Sequence, residues 1–236
     1  TQLHIGHMTG LRKLRQFQNL GHQVILLIGD FTGRVGDPSG KTETRQQLTQ
    51  DQLLENAKTY KEQLSKILNF EGENPVEIKH NSEWLEGLSF AEVLKLTSQV
   101  TYSQLIERDM FQKRMKEGRD LFVNELLYPL LQGYDSVALN VGLEVGGSDQ
   151  TFNMLMGRTL MKKLKRKDKF VLATKLLAEP GKEKMGKTEG NIIALDNRPA
   201  EMFGKIMSWP DEMISLGFEL LTDVAMEEIS NNIKPM

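Results

Sequence analysis

Histidines at positions 4 and 7 flank Ile5-Gly6 and precede a stretch in which Leu11, Leu14, Phe17 and Leu20 recur at helical spacing. Two imidazoles at the mouth of a helix can donate hydrogen bonds to an anion lying on the exposed N-terminal amides, where the helix dipole adds attraction. Gly6 removes a side chain that would block a flat ligand such as a nucleotide base. Far along the chain, Lys184-Met185-Gly186-Lys187-Thr188 lies in a polar, glycine-punctuated run, 181–191. Two ammonium groups and a hydroxyl there could close on a leaving pyrophosphate, whose developing charge such a clamp stabilises. Each group also has a plainer reading: the histidines as solvated or N-capping residues, the lysines as a solvated surface loop.

A third constellation is "YPLLQGYD", which places Tyr128, Gln132 and Asp135 at offsets of four and three, hence on one face of a helix. A hydroxyl, a carboxamide and a carboxylate converging there can hold an ammonium and a second polar group. The alternative is an ordinary helix with polar residues on its surface, and Pro129 weakens that helix unless it occupies the first turn. The basic run "KKLKRKDK" (162–169) reads as a solvated helix end, although contact with a nucleic-acid backbone is the other possibility.

These groups need a scaffold. The chain has 236 residues, enough for one large α/β domain plus a helical appendage. The apolar run 23–30 ("QVILLIGD") follows the first helix and reads as a buried strand, and 76–81 ("VEIKHN") reads as the next. Between them come a glycine- and proline-rich loop, 32–41, and a helical face carrying Leu53, Leu54, Ala57, Leu64, Ile67 and Leu68. From 89 to 132 the pattern is helical, with amphipathic stretches at 90–96 and 104–115. A strand and turn return at 143–150, followed by a helix with Leu155, Leu160 and Leu164 inward. Beyond Arg198 the text is helical again, with Pro199 and Pro210 where helices begin. The expected fold is α/β: a Rossmann-like parallel sheet with helices on both faces, a helical insertion at about 85–135 within a domain spanning 1–195, and the start of a helical domain at 196–236.

Composition narrows the function. Thirty basic and 32 acidic residues give a formal net charge of −2, so no global positive field announces a nucleic-acid partner, and any RNA contact must be regional. The absence of cysteine excludes disulfides and thiolate metal sites and accords with a reducing cytoplasm. No apolar run approaches the roughly 20 residues of a membrane span, and the polar start shows no signal peptide. Without an initiator methionine, the chain reads as an internal fragment.

Taken in order, the paired-histidine turn and "KMGKT" are the two signatures of class I aminoacyl-tRNA synthetases, which this sequence resembles. "KMGKT" is similar to their KMSKS loop, with Gly186 and Thr188 in place of two serines. "GDPSGKTETR", "LQGYD", "GGSDQ" and "KMGKTEGN" in this order resemble the tyrosyl-tRNA synthetase subgroup, over essentially the whole chain.

That resemblance implies that Asp37, Tyr128 and Gln132 hold the α-ammonium of L-tyrosine and that Asp135 accepts a hydrogen bond from the phenol. Gly147 and Asp149 would meet the ribose of ATP, and Gln150 the carboxyl end of the substrate near the reacting phosphate. His4 and His7, beside Gly6, would stabilise the pentacoordinate transition state. Lys41 and Arg45, with Lys184, Lys187 and Thr188, would attract pyrophosphate. Mg2+ would arrive bound to ATP, with no dedicated protein site. The partners implied are tRNA(Tyr) and, through apolar positions such as Leu105, Ile106, Met110 and Met115, a second copy of the chain; no membrane partner is implied. The family's tyrosine on the first strand and an aspartate and threonine ahead of the first histidine would lie upstream of Thr1, and an RNA-binding region downstream of Met236.

The chemistry is consistent with these residue types. Attack of a carboxylate on an α-phosphate needs in-line positioning and charge neutralisation more than a base, because the nucleophile is ionised at neutral pH. Three alternatives compete: the sister enzyme for tryptophan, a non-catalytic RNA-binding module that keeps the fold, and a small nucleotidyltransferase sharing the paired-histidine turn.

Overall fold

A computed structural model describes residues 3–36, 60–178 and 192–232. Contacts divide the chain into two compact units, one of Thr1–Val24, Asn56–Val76 and Thr174–Met236, the other of Ile25–Glu55 and Glu77–Ala173.

In the first unit, the leucine-spaced stretch forms helix α1 (Ile5–Asn19), which buries Ile5, Thr9, Leu11 and Gln18. Gln18 explains why a polar residue is inside: its side chain bonds the carbonyls of Asn69 (2.7 Å) and Asn74 (2.8 Å) and accepts from the Asn69 amide (3.0 Å). α1 packs against the helix Glu212–Leu221. There Arg12 donates to the Leu220 carbonyl at 2.7 Å, a cation satisfying the orphan carbonyls of a helix end. The helices after Arg198 run Pro199–Met207, Glu212–Leu221 and Met226–Asn232, with Pro199 at the first helical position as its missing N–H favours. The expected helix of the 53–68 region is shorter in its described part, Tyr60–Leu64, although Leu64 and Leu68 are both buried.

In the second unit, the apolar run becomes β1 (Ile25–Ile28), paired parallel to β2 (Glu77–His80) in the register Ile25↔Glu77 to Ile28↔His80. β3 (Leu143–Gly147) pairs with β4 (Phe170–Thr174). Short parallel strands among many helices make the fold mixed α/β, as expected.

The helical region 89–132 holds an amphipathic helix, Phe90–Thr97, but the predicted stretch 104–115 is broken in two, Tyr102–Ile106 and Asp109–Lys116. The first has its own capping box, Thr101 and Gln104 bonding each other's amides at 3.2 and 3.0 Å, which starts a new helix just ahead of the expected one. A long helix, Val123–Leu139, follows and ends at Asn140 in the left-handed conformation. Pro129 sits inside it, past the first turn and buried, so tertiary packing overrides the lost donor. Leu96, Leu105, Leu130, Val137, Met156, Leu160 and Met161 form the core of this unit. Val123–Leu139 crosses the helix Thr151–Leu160 closely enough that a Cβ on Gly133 would lie 3.0 Å from the Gly157 nitrogen.

Two expectations fail here. Leu155 is 41% exposed, because it lies about 140° around the helix from Leu160 at 3.6 residues per turn; Met154 and Met156 are buried instead. The charged residues of the run 162–169 are solvated except the last lysine, Lys169, which is 1% exposed.

Candidate functional site

The histidine turn belongs to the first unit. His4 is the N-cap of α1, its Nδ1 accepting from the Gly6 amide at 3.2 Å, and the His7 Nδ1 accepts from the His4 amide at 3.1 Å. The rings lie 4.0 Å apart and tilted by 51°. The N-capping reading is therefore realised, and it has a chemical consequence. With its Nδ1 accepting from the Gly6 amide, the neutral His4 ring carries its proton on Nε2, the tautomer of a hydrogen-bond donor, while the His7 Nδ1 lies against both the His4 amide (3.1 Å) and the His4 carbonyl (3.3 Å). Gly6 has a structural reason beyond ligand access: a Cβ there would come within 2.9 Å of the His4 ring. The peptide following the lysine-bearing stretch is pinned to this turn, Ile5 donating to the Ile193 carbonyl and Leu195 to the Leu3 carbonyl, both at 2.9 Å. Lys184, Lys187 and Thr188 themselves, and likewise Asp37, Lys41 and Arg45, lie outside the described residues.

The second unit holds a carboxylate centre. Asp135 is 4% exposed on Val123–Leu139. Its Oδ1 accepts from the Trp84 indole at 2.8 Å and its Oδ2 from Asn81 Nδ2 at 3.3 Å. Burial raises its carboxyl from the ordinary 3.8 to about 7; the Trp84 and Asn81 hydrogen bonds pull it down, and the Glu144 and Asp30 charges push it up. Asn81 is wholly buried and fixed on both sides, donating to Thr32 Oγ1 at 3.0 Å and accepting from the Phe31 amide at 2.9 Å. Asp30 behaves oppositely to Asp135. Burial would raise it, but bonds from the Ser82 hydroxyl and amide, the His80 charge and the Phe31 amide together hold it below the usual carboxylate value.

Beside this centre runs a chain of carboxamides. Gln132 Nε2 donates to Glu144 Oε1 at 3.2 Å, and Asn153 Nδ2 donates both to Gln132 Oε1 at 2.9 Å and to Gln150 Oε1 at 3.0 Å. Gln132 and Gln150 are thus brought together. Tyr128, one helical turn before Gln132, is half-buried. Gly147 caps the 3-10 turn Ser148–Gln150, which carries Asp149 half-buried at the head of Thr151–Leu160.

Asp30, Asn81, Trp84, Glu144 and Asn153 were not singled out from the sequence. A signal existed for the first two: Asp30 and Asn81 follow the carboxyl ends of adjacent parallel strands, where open α/β sheets gather polar ligand-facing residues. Among the described residues no group of three or more His, Cys, Asp or Glu side chains is placed to hold a metal ion.

Residues 1–234 match a family model described as tRNA synthetases class I (W and Y). The chain belongs to that family. It is similar to the tyrosine–tRNA ligase of Carboxydothermus hydrogenoformans, 51% identical over 231 residues that cover 97% of this chain and 55% of the relative. It is 48% identical to the tyrosine–tRNA ligase of Thermotoga maritima over 235 residues, 99% of this chain and 58% of that one. This class I synthetase chain therefore spans about half the length of the curated relatives it matches. Among solved structures, the tyrosyl-tRNA synthetase of Archaeoglobus fulgidus complexed with L-tyrosine aligns at a TM-score of 0.70 and 25% identity, over 89% of this chain and 62% of that one. A C-terminally truncated mitochondrial tyrosyl-tRNA synthetase of Aspergillus nidulans shares the fold at a TM-score of 0.75 and 23% identity, over 98% and 71%.

Proposed function

We propose that the protein to which this chain belongs is a tyrosine–tRNA ligase (EC 6.1.1.1). It activates L-tyrosine with magnesium-bound ATP to tyrosyl-adenylate and pyrophosphate, then passes the tyrosyl group to the 3′ end of tRNA(Tyr). The observation that carries this reading is Asp135: a buried carboxylate already held by Trp84 and Asn81, placed on the same helix as Tyr128 and Gln132. A buried acceptor left unpaired by the wrong amino acid rejects it strongly. The names of the relatives support the choice of tyrosine.

In this reading Asp135 accepts a hydrogen bond from the phenol, while Tyr128, Gln132 and Asp37 hold the α-ammonium. Gln150 orients the carboxyl group, one oxygen of which attacks the α-phosphorus as the bond to the β-phosphate oxygen breaks. Pyrophosphate leaves with the electron pair, its charge met by Lys41, Arg45, Lys184, Lys187 and Thr188. His4 and His7 donate from Nε2 to the transition-state oxygens, and Gly147 and Asp149 hold the ribose. Magnesium enters as part of the ATP substrate. Domain 1–195 performs this chemistry, with the helical domain from 196 onward.

A homodimer in the cytoplasm completes the reading, but its apolar surface differs from the expected one. Leu105 is buried and Ile106, Met110 and Met115 are half-buried, whereas Phe90 (77%), Leu94 (53%), Tyr102 (62%), Phe122 (53%) and Val123 (71%) are exposed in the helical region. Exposed apolar side chains of this kind accord with association.

ATP–pyrophosphate exchange in the intact protein with tyrosine and tryptophan supplied separately tests the reading. Exchange driven by tyrosine is expected. Exchange driven by tryptophan points to the sister activity, and failure to bind millimolar ATP to a non-catalytic module.

A further inference from the structure

Lys169 closes the basic run 162–169, yet its side chain is completely covered. Its ammonium is ion-paired to Glu144 and donates to the Met154 carbonyl at 3.0 Å. Gly157 makes the room: a Cβ there would lie 2.6 Å from the Lys169 nitrogen and 2.8 Å from Ser136 Oγ. Burying a cation is costly unless it is paired and hydrogen-bonded, and burial does lower the Lys169 pKa against the opposing pull of Glu144.

What this cation holds is the start of the carboxamide chain. Glu144 Oε2 is held by Lys169 and by Ser136 Oγ at 3.1 Å, so Oε1 faces Gln132. Gln132 then presents Nε2 to Glu144 and its oxygen to Asn153, whose single Nδ2 also takes the oxygen of Gln150. Reversing either glutamine amide would set an NH2 group against an NH2 group.

We propose that Lys169 is a positioning residue for amino-acid recognition, setting the orientation of the Gln132 and Gln150 carboxamides through Glu144 and Asn153. This rests on the tyrosine-ligase reading. In the orientation set by Lys169, Gln132 has an oxygen to share with an ammonium, and Gln150 has N–H groups suited to a carboxylate, so the pair matches both ends of a zwitterionic amino acid. Without Lys169 the half-buried Glu144 loses its counter-ion and turns outward to water, which releases Gln132.

The test compares Lys169→Met, Gly157→Ala and the double variant K169M/E144Q with wild type in the intact protein. Calorimetry gives the Kd for L-tyrosine and for ATP, and side-chain amide NMR follows Gln132 and Gln150. K169M is expected to weaken tyrosine binding at least about tenfold and ATP binding less than about twofold, with the amide resonances displaced. G157A, which crowds the ammonium, is expected to fall between. The double variant, in which a neutral amide keeps the contacts to Gln132 and Ser136, is expected to return both affinity and resonances close to wild type. A purely structural lysine would lower Tm without this pattern. Wild-type tyrosine affinity with unmoved amide resonances in K169M overturns the proposal. If K169M does not fold, wild-type affinity and resonances in G157A do the same. If wild type binds ATP but not tyrosine, the ligase reading fails, and the resonances alone still decide: displaced in K169M they support the positioning role, unmoved they refute it.

Discussion

The Trp84 indole donates a 2.8 Å hydrogen bond to a carboxylate of Asp135 that burial has raised to about 7. The carboxyl at the centre of the candidate site therefore titrates near neutrality, and its state depends on a neighbour 51 residues away in the sequence.

Asp135 makes stability depend on pH with a definite sign. A carboxyl whose folded value exceeds its unfolded one contributes stability that is fully present below about pH 3.8 and is lost as pH rises through about 7. Asp135→Asn lacks that loss. Relative to the variant, wild type is expected to lose up to about 4 kcal/mol between pH 4 and 7, roughly three units at about 1.4 kcal/mol each. Urea unfolding of both proteins at pH 4, 5.5 and 7 checks this, and a parallel pH response of the two contradicts it.

Ligand binding should show the same titration from the other side. If the ionised carboxylate accepts the phenol's hydrogen bond, tyrosine affinity rises with pH to a plateau above about pH 8 and is about tenfold weaker at pH 6 than there. Trp84→Phe removes a bond that favours the ionised form, so the midpoint is expected to move upward and affinity at pH 7 to fall several-fold. Fluorescence or calorimetric titration of tyrosine from pH 5.5 to 8.5 reads both effects.

At the histidine turn, Gly6→Ala separates helix propensity from chemistry. Alanine is worth up to about 1 kcal/mol more than glycine in a helix, but its Cβ would lie 2.9 Å from the His4 ring and drive it off the cap. The expected result is Tm changed by little, kcat for adenylate formation reduced at least about tenfold and KM for tyrosine unchanged. An equal loss in KM would place the turn in ground-state binding instead.

Arg114 and Glu125 form a buried pair, joined by bonds of 2.6 and 3.1 Å, that locks the helix Asp109–Lys116 onto Val123–Leu139. Arg114→Met leaves an uncompensated buried carboxylate and is expected to cost about 3–5 kcal/mol. The double variant R114M/E125Q should recover part of that loss in thermal unfolding; no recovery would mean that packing by the arginine stem, not charge, is what matters.

Much of this was legible from residue order. β1 was marked by an apolar run of strand length, and Ile5–Asn19 and Val123–Leu139 by helical spacing, because local periodicity reports which face is buried. Asp135 was found by its spacing from Tyr128 and Gln132. Lys169 was not, since a lysine ending a charged run is ordinarily solvated, and its burial depends on Gly157 and Glu144, residues distant in sequence that vacate space and supply charge. Asn81 and Trp84 escaped notice for the same reason: their importance is a contact made across 54 and 51 residues. Leu155 shares the leucine pattern but not the buried stripe, because five residues at 3.6 per turn set it on another side of the helix from Leu160.

The central claim is that Asp135 recognises a phenolic hydroxyl. It is tested most directly by kcat/KM for ATP–pyrophosphate exchange with tyrosine and with phenylalanine, in wild type and Asp135→Ala. The account predicts that wild type prefers tyrosine by roughly 10⁴-fold or more, the scale for which tyrosyl-tRNA synthetases are themselves the known example, and that the variant loses most of that preference. A variant that folds, activates amino acid and still prefers tyrosine as wild type does would contradict it.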